Sequence, residues 1–359
     1  MVVSMNNMII TNILKQLDNV EGYEKPKYYK DSIICLDKNE NFFIDKKFLI
    51  KLAIESLNEI DLRLYPEGEY EELINALSKF FNMDNEWFMI GFGSDQLIDI
   101  LTEIFAQNNM VVSIAPTFSW YRLRTLFHGG TYIDVPLNND FSLNLNKLLE
   151  KSRNASLTFI CSPNNPTGNQ FSIDDIKSIV EEAKGLVVID EAYVDFADFS
   201  VYNLVKKYEN LIVLRTFSKA YGLAGLRLGY MIAQPEIIKP LFKTAQYPYP
   251  ITNFSAKIAT KLIQNIDVVK TAISKLKNER EKLYNELLKL NIKVYRSNTN
   301  FLLFRSPINP EIFEDKLIKN GIKIKRIKDV LGQNDFFRVT VGLSEMNAKF
   351  LEVIKNVIQ

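Results

Sequence analysis

The sequence predicts an α/β protein: a large domain with a mostly parallel central sheet flanked by helices, plus a smaller α+β C-terminal domain. Short apolar runs, MVVSI at 110–114, LTFIC at 157–161, LVVI at 186–189, LIVL at 211–214 and GYMIA at 229–233, alternate with longer segments of helical period, which is how strands buried on both faces read. Several runs end directly in polar or turn residues, APTF, SPNNPTG, DEAY and RTFSK. The carboxyl ends of strands in an open parallel sheet border the ligand crevice, so these tails are expected to meet at one site. After about residue 250 the texture changes to a long amphipathic helix over 268–291, then KVYRSNTNFLLFR and FFRVTVG as strands of a smaller unit, then a helix at 344–358. No linker or repeat divides the chain, and the expected division is an N-terminal arm over 1–40 packed with the small domain, a large domain over 41–250 and the small domain over 251–359.

Composition excludes several function classes. A chain of 359 residues, 47% hydrophobic and 24% charged, can bury a sizeable core. Its formal charge of +1 argues against nucleic acid or a membrane surface as partner, while a local pocket for a small anion stays open. No signal peptide or membrane-spanning apolar run is read, and two cysteines, Cys35 and Cys161, without metal-ligand spacing suit the cytoplasm. His128 is the single histidine, so a Ser-His-Asp triad and a His-rich metal site are both excluded and no metal is expected; its place in LFHGGTY suits a structural or solvated role. Acid–base chemistry falls to lysine, tyrosine and carboxylates.

The stretch TFSKAYGLAGLRLGY, Thr216 to Tyr230, sets Lys219 beside Ser218 and eight positions before Arg227. Asp190 closes the apolar run LVVI, where a buried carboxylate needs a partner, which a cap or a salt bridge would also supply. Tyr193 follows three residues on and reads equally as a packed aromatic with a wet hydroxyl. SPNNPTG, Ser162 to Gly168, is a turn, yet that leaves the side chain of Asn165 unassigned. GFGSDQLIDILTEIF, Gly91 to Phe105, places glycines and Ser94 before an amphipathic helix whose free N–H groups would hold a phosphate, although a cap alone also explains Ser94 and Asp95. Pyridoxal 5′-phosphate asks for this set: a lysine for its aldehyde, a carboxylate for its ring nitrogen and donors for its phosphate. Asn165 and Tyr193 would hydrogen-bond its 3′-oxygen, and the amine of Lys219, once displaced, would carry a proton from the substrate Cα.

The ordered motifs SPNNPTG, DEAYVDF and TFSKAYGLAGLRLGY resemble those of the fold-type I PLP-dependent transferases, and most closely the histidinol-phosphate aminotransferase group among its aminotransferases. The likeness runs from GYEKP and LDKNEN through RLYPEG, GFGSDQL and APTFSWY to NFLLFR and FRVTVG. It implies transfer of an amino group between L-glutamate or 2-oxoglutarate and a small phosphorylated partner in histidine biosynthesis. The catalytic set implied is Lys219 as the cofactor-bearing lysine, Asp190 at the ring nitrogen and Tyr193 with Asn165 at the 3′-oxygen. Ser94, Asp95, Thr216, Ser218 and Arg227 fall where the family holds the phosphate, and Phe118 where it stacks on the ring. Tyr65 matches a tyrosine that reaches the cofactor of a neighbouring subunit, which implies a homodimer. Tyr23, Asn41, Lys325 and Arg338 match substrate-side positions.

Three departures stand out. GIKIKRIKD offers Lys325, with Arg326 one step on, where the group usually has an arginine for the substrate phosphate; lysine binds phosphate as a point charge without the bidentate fork. LDKNENFF lacks the usual proline, and Gln96 replaces a common glutamate. An aromatic amino-acid aminotransferase or a decarboxylase of a phosphorylated amino acid therefore stays open as the alternative enzyme. A noncatalytic cofactor-binding regulator is the alternative from another class, and about 40 residues before the large domain, without a helix-turn-helix pattern, leave little room for its DNA-binding partner.

Overall fold

The computed structural model of the protein describes residues 33–358 together with Ile10, Leu14 and Lys15. A short strand β1 (Ile34–Cys35) is followed by helices α1 (Lys46–Leu57) and α2 (Glu67–Phe81). Then come β2 (Phe88–Phe92), α3 (Gly93–Phe105), β3 (Met110–Ala115), α4 (Trp120–Phe127), β4 (Thr131–Pro136), α5 (Leu145–Ser152), β5 (Leu157–Cys161), α6 (Ile173–Glu182), β6 (Leu186–Asp190), β7 (Leu211–Thr216) and β8 (Leu228–Ile232). Helices α7 (Pro235–Thr244), α8 (Asn253–Gln264) and α9 (Ile266–Lys289) lead to β9 (Phe301–Arg305), α10 (Pro310–Lys319), β10 (Ile322–Lys323), β11 (Lys325–Ile327), β12 (Phe336–Thr340) and α11 (Ser344–Ile358).

The large sheet has seven strands in the order β2-β8-β7-β6-β5-β3-β4. Its interior strands alternate their side chains between two cores: Val187, Ile189 and Val213 face one, Val188, Ile212 and Leu214 the other. Burial on both faces is why these strands read as unbroken apolar runs. Helices start where the sequence supplies caps: the Ser172 hydroxyl accepts from the Asp175 N–H at 3.0 Å to open α6, and Asn309 caps α10 with Pro310 as its first residue.

Every neighbouring pair in the large sheet is parallel except the two made by β8, which runs against both β7 and β2. The carboxyl ends of β2, β3, β5, β6 and β7 therefore share one edge with the amino end of β8. That edge gathers Gly93–Asp95, the turns after Ala115 and Cys161, Asp190, the segment after Thr216, and Arg227.

Strands β2 and β4 were not expected from the sequence: Gly91 falls inside β2, where a glycine reads as a loop, and β4 carries Asp134 and ends in Pro136. Of KVYRSNTNFLLFR only Phe301–Arg305 is a strand, with Val294 bridging singly to Phe304. Between them the Ser297 hydroxyl accepts from the Thr299 N–H at 3.1 Å, so the side chains of SNT close a turn and interrupt the ladder.

The C-terminal part forms the three-stranded antiparallel sheet β11-β12-β9. Phe304, Phe313, Phe337 and Phe350 pack there around Leu36, and β1 pairs in parallel with β10. Helix α8 packs on α2, with Ile258 and Leu262 joining the same core as Leu73 and Leu77. No helix among the described residues is long and apolar enough to cross a membrane.

The join between β8 and α3 depends on Gly229, where a Cβ would lie 2.3 Å from the Ser94 nitrogen and 2.6 Å from the Gly93 carbonyl carbon. Backbone atoms cannot yield as a flexible side chain would. Gly229→Ala is expected to cost about 1–3 kcal/mol of folding stability, read as a lower urea midpoint at unchanged slope; an unmoved midpoint would contradict this close packing.

Candidate active site

Lys219 stands three residues past the end of β7, in the turn that leads back to β8. It is partly buried, its Nζ donates to the Lys38 carbonyl at 3.1 Å, and it lies 5.8 Å from the centre of the Tyr193 ring. Burial, reinforced by the positive charge of Arg338, lowers its pKa to about 8. About a tenth of the amine is thus neutral and nucleophilic at pH 7, far more than for an ordinary lysine. Asn41 steadies the same turn: its Nδ2 donates to the Ala220 carbonyl at 2.8 Å, and its Oδ1 accepts from the Phe43 N–H at 3.0 Å.

Asp190 ends β6 at 3% exposure. Its Oδ2 accepts from the Tyr121 hydroxyl at 2.5 Å and its Oδ1 from the Ala192 N–H at 3.0 Å. Burial pushes its pKa up to about 6, against the downward pull of those two donors. Among the described residues no cation pairs with it. Tyr121 is a residue that sequence reasoning missed; it lies three residues after Phe118, in the first turn of α4, and Phe118 meets its ring edge-on at 5.6 Å.

Tyr193 and Asn165 form a second cluster. The Tyr193 hydroxyl accepts from Asn39 Nδ2 at 2.9 Å, and Asn165 Oδ1 accepts from Arg338 Nη1 at 2.5 Å. Arg338 also donates from Nη2 to the Asp37 carbonyl at 2.7 Å. Asn39 was also missed, since nothing in LDKNEN separates it from Asn41; it adopts the left-handed backbone, with φ of 56°. These bonds use the acceptor atoms of Tyr193 and Asn165. Among the described residues no acceptor takes the Tyr193 O–H or the Asn165 Nδ2 hydrogens, which leaves both as donors.

At the other end, Gly93, Ser94 and Asp95 form the first turn of α3, whose free N–H groups carry the positive end of the helix dipole. Arg227 Nη2 donates to Asp95 Oδ2 at 2.6 Å, and the left-handed backbone of Arg227, φ 52°, aims it there. The Thr216 hydroxyl accepts from the Ser218 N–H at 3.1 Å and donates to the Leu228 carbonyl at 3.1 Å, so it shapes the turn that carries Ser218 and Lys219.

The remaining expected residues lie apart. Lys325 is exposed on β11, directly opposite Arg338 on β12, so two cations are cross-strand neighbours. Tyr65 is 70% exposed and stacks on Tyr249 at 4.2 Å. Tyr23 lies outside the described residues. His128 sits with Asp99, 2.7 Å from its Oδ1, and with Arg124 in a surface cluster on α3 and α4. No group of three or more His, Cys, Asp and Glu that could hold a metal ion occurs among the described residues.

The site fits pyridoxal 5′-phosphate. Asp190 is a buried carboxylate lacking a cation, the place for a protonated ring nitrogen; Tyr193 and Asn165 keep donors for an anionic oxygen; the α3 amino terminus with Ser218 and Arg227 suits a phosphate.

The family model for aminotransferase class I and II matches residues 31–354. The chain is 36% identical over 346 residues to the histidinol-phosphate aminotransferase of Clostridium novyi, covering 95% of this chain and 96% of that one. It is 34% identical to the histidinol-phosphate aminotransferase of Pyrococcus furiosus, covering 91% of this chain and 93% of the relative. Among solved structures, the histidinol-phosphate aminotransferase of Sinorhizobium meliloti in complex with pyridoxal 5′-phosphate aligns with a TM-score of 0.85 at 21% identity, over 99% of this chain and 98% of that chain.

Two outcomes follow from the electrostatics. In cofactor-free protein, competitive acylation of Lys219 should titrate with a midpoint at a pH of about 8, against 10.5 for an ordinary lysine; a midpoint at the ordinary value would refute the depression. Asp190, with its folded pKa raised to about 6 from 3.8, costs stability that is absent at low pH, grows as pH rises through that interval and is complete above it. Asp190→Asn should therefore stabilise the cofactor-free protein at pH 7.5 by about 3 kcal/mol. The gain should shrink as the pH is lowered toward 4, and a pH-independent gain would disprove this origin.

Proposed function

The chain belongs to the class I and II aminotransferase family, and from that premise we propose that it transfers an amino group between histidinol phosphate and 2-oxoglutarate, with pyridoxal 5′-phosphate as cofactor, in histidine biosynthesis. One observation carries the reading: a lysine amine of depressed pKa and a cation-free buried carboxylate share one sheet edge with donors for a ring oxygen and a phosphate.

When bound, the cofactor supplies an aldehyde that takes up the amine and a protonated ring that withdraws electrons from the substrate carbon. Asp190 holds the proton on the ring nitrogen, and Tyr193 and Asn165 donate to the ring oxygen. The Lys219 amine, its pKa lowered to about 8, would be the base that takes the proton from the substrate Cα and carries it away from that carbon. Ser94, Ser218 and Arg227 bind the cofactor phosphate, with Asp95 orienting the guanidinium. Phe118, held at a right angle to the Tyr121 ring, would stack on the cofactor ring.

Arg338 and Lys325 define the substrate side. Their cross-strand pairing presents two positive charges to an anionic end: the phosphate of histidinol phosphate in one half-reaction and a carboxylate of glutamate in the other. Arg338 is also bonded to Asn165, so the substrate grip and a cofactor contact are joined by one side chain.

The working unit in this reading is a homodimer. Leu62, Leu64 and Tyr65 are 68%, 67% and 70% exposed, and Tyr65 stacks on the exposed Tyr249, an apolar surface suited to a second copy whose cofactor phosphate Tyr65 would reach.

Purified protein given histidinol phosphate and 2-oxoglutarate should form glutamate, and Lys219→Ala should lower the rate by at least about 10²–10⁴-fold. Absence of glutamate with this pair, but turnover of phenylalanine, would transfer the assignment to aromatic substrates; release of CO₂ without consumption of the keto acid would make the protein a decarboxylase.

A further inference from the structure

We propose that Tyr121 is a positioning residue of this reaction, whose buried hydroxyl fixes the Asp190 carboxylate in the orientation and the anionic form that the cofactor's ring nitrogen requires. The inference rests on the placement of Asp190 at that nitrogen.

Tyr121 is fully buried in the first turn of α4. Its ring stacks on Phe159 at 4.7 Å with 5° between the planes and meets Phe118 edge-on. With the ring clamped, the hydroxyl oxygen is fixed in place beside the Cys161 thiol, and it meets Asp190 Oδ2 at 2.5 Å, in the range of an O–H bond to an ionised carboxylate. The Ala192 N–H holds the other oxygen, so the carboxylate cannot turn without breaking one of the two bonds.

The groups around Asp190 make this donor matter. Cys161 lies opposite it in register on β5, Tyr193 and Glu191 are on its own segment, and Asp95 approaches from α3. Burial and the negative charges of Asp95 and Glu191 all work against an ionised Asp190, and the Cys161 thiol is neutral, its pKa raised by burial. Tyr121 is the side chain that acts in the opposite direction. Its own hydroxyl is held protonated by burial and by the adjacent carboxylate, so it remains a donor throughout.

A double-mutant cycle on the holoenzyme tests this. Tyr121→Phe should weaken pyridoxal 5′-phosphate binding about tenfold in the wild-type background, the scale of a hydrogen bond to a charged group, and should add nothing in an Asp190→Asn background. In parallel, the ¹⁵N resonance of ring-labelled cofactor should move toward its unprotonated position in Tyr121→Phe. Equal loss in both backgrounds, or an unmoved resonance, would mean that the tyrosine merely packs. If Asp190→Asn itself leaves binding and resonance as in the wild type, the placement of Asp190 fails and this proposal with it. Should Tyr121→Phe not fold, 3-fluorotyrosine at position 121 keeps the ring and makes the hydroxyl more acidic; the resonance should then shift, and no shift would overturn the proposal.

Discussion

The structure depends on a carboxylate that the fold by itself does not neutralise. β6 carries Asp190 out of an apolar run into a position of 3% exposure, where two hydrogen bonds and no cation hold it. An ion so placed is unfavourable in the empty protein. In the proposed reading the arrangement becomes favourable when a positively charged ring nitrogen arrives, because the same low dielectric that penalises the lone charge strengthens the pair. Affinity for the cofactor and instability of the empty site therefore have one origin.

Around this point the sheet acts as a frame. β6 and β7 deliver Asp190 and the Lys219 turn to one edge, and a second, fully buried group of charges lies beneath them. Arg215 Nε contacts Glu191 Oε2 at 3.0 Å, and its Nη2 donates to the Ser200 hydroxyl at 2.8 Å, while Glu191 Oε1 accepts from the Val201 N–H at 2.7 Å. Glu191 immediately follows Asp190 and Arg215 immediately precedes Thr216, so the network ties the two strand ends together. Ion pairs this deep contribute less to net stability than to geometry, since desolvation offsets most of their attraction.

The small sheet reaches the site through polar bridges. Thr340 on β12 accepts from the Asn39 N–H at 2.9 Å, Asn300 donates to the Asn39 carbonyl at 2.8 Å, and Asn39 in turn holds the Tyr193 hydroxyl. Arg338, on the same strand, holds Asn165. Both side chains assigned to the ring oxygen are thus secured from β12 and the segment that precedes α1. In the proposed reading, the strand that would grip the substrate also steadies the cofactor's neighbours.

By itself the sequence determined the interior strands, the long helices and the identity of the central side chains. Burial on both faces writes β3, β5, β6 and β7 as continuous apolar runs, and each run's polar tail names what stands at the crevice. Tertiary structure decided what local pattern cannot carry. The reversed direction of β8, which brings Arg227 to the edge, depends on pairing with β7 and β2, and Gly91 concealed β2 because a glycine in a buried strand looks like a turn. Tyr121 and Asp190 are 69 residues apart and Asn39 and Tyr193 154 apart. Contacts across such separations leave no periodicity in the chain, since they are set by which elements the core packs side by side.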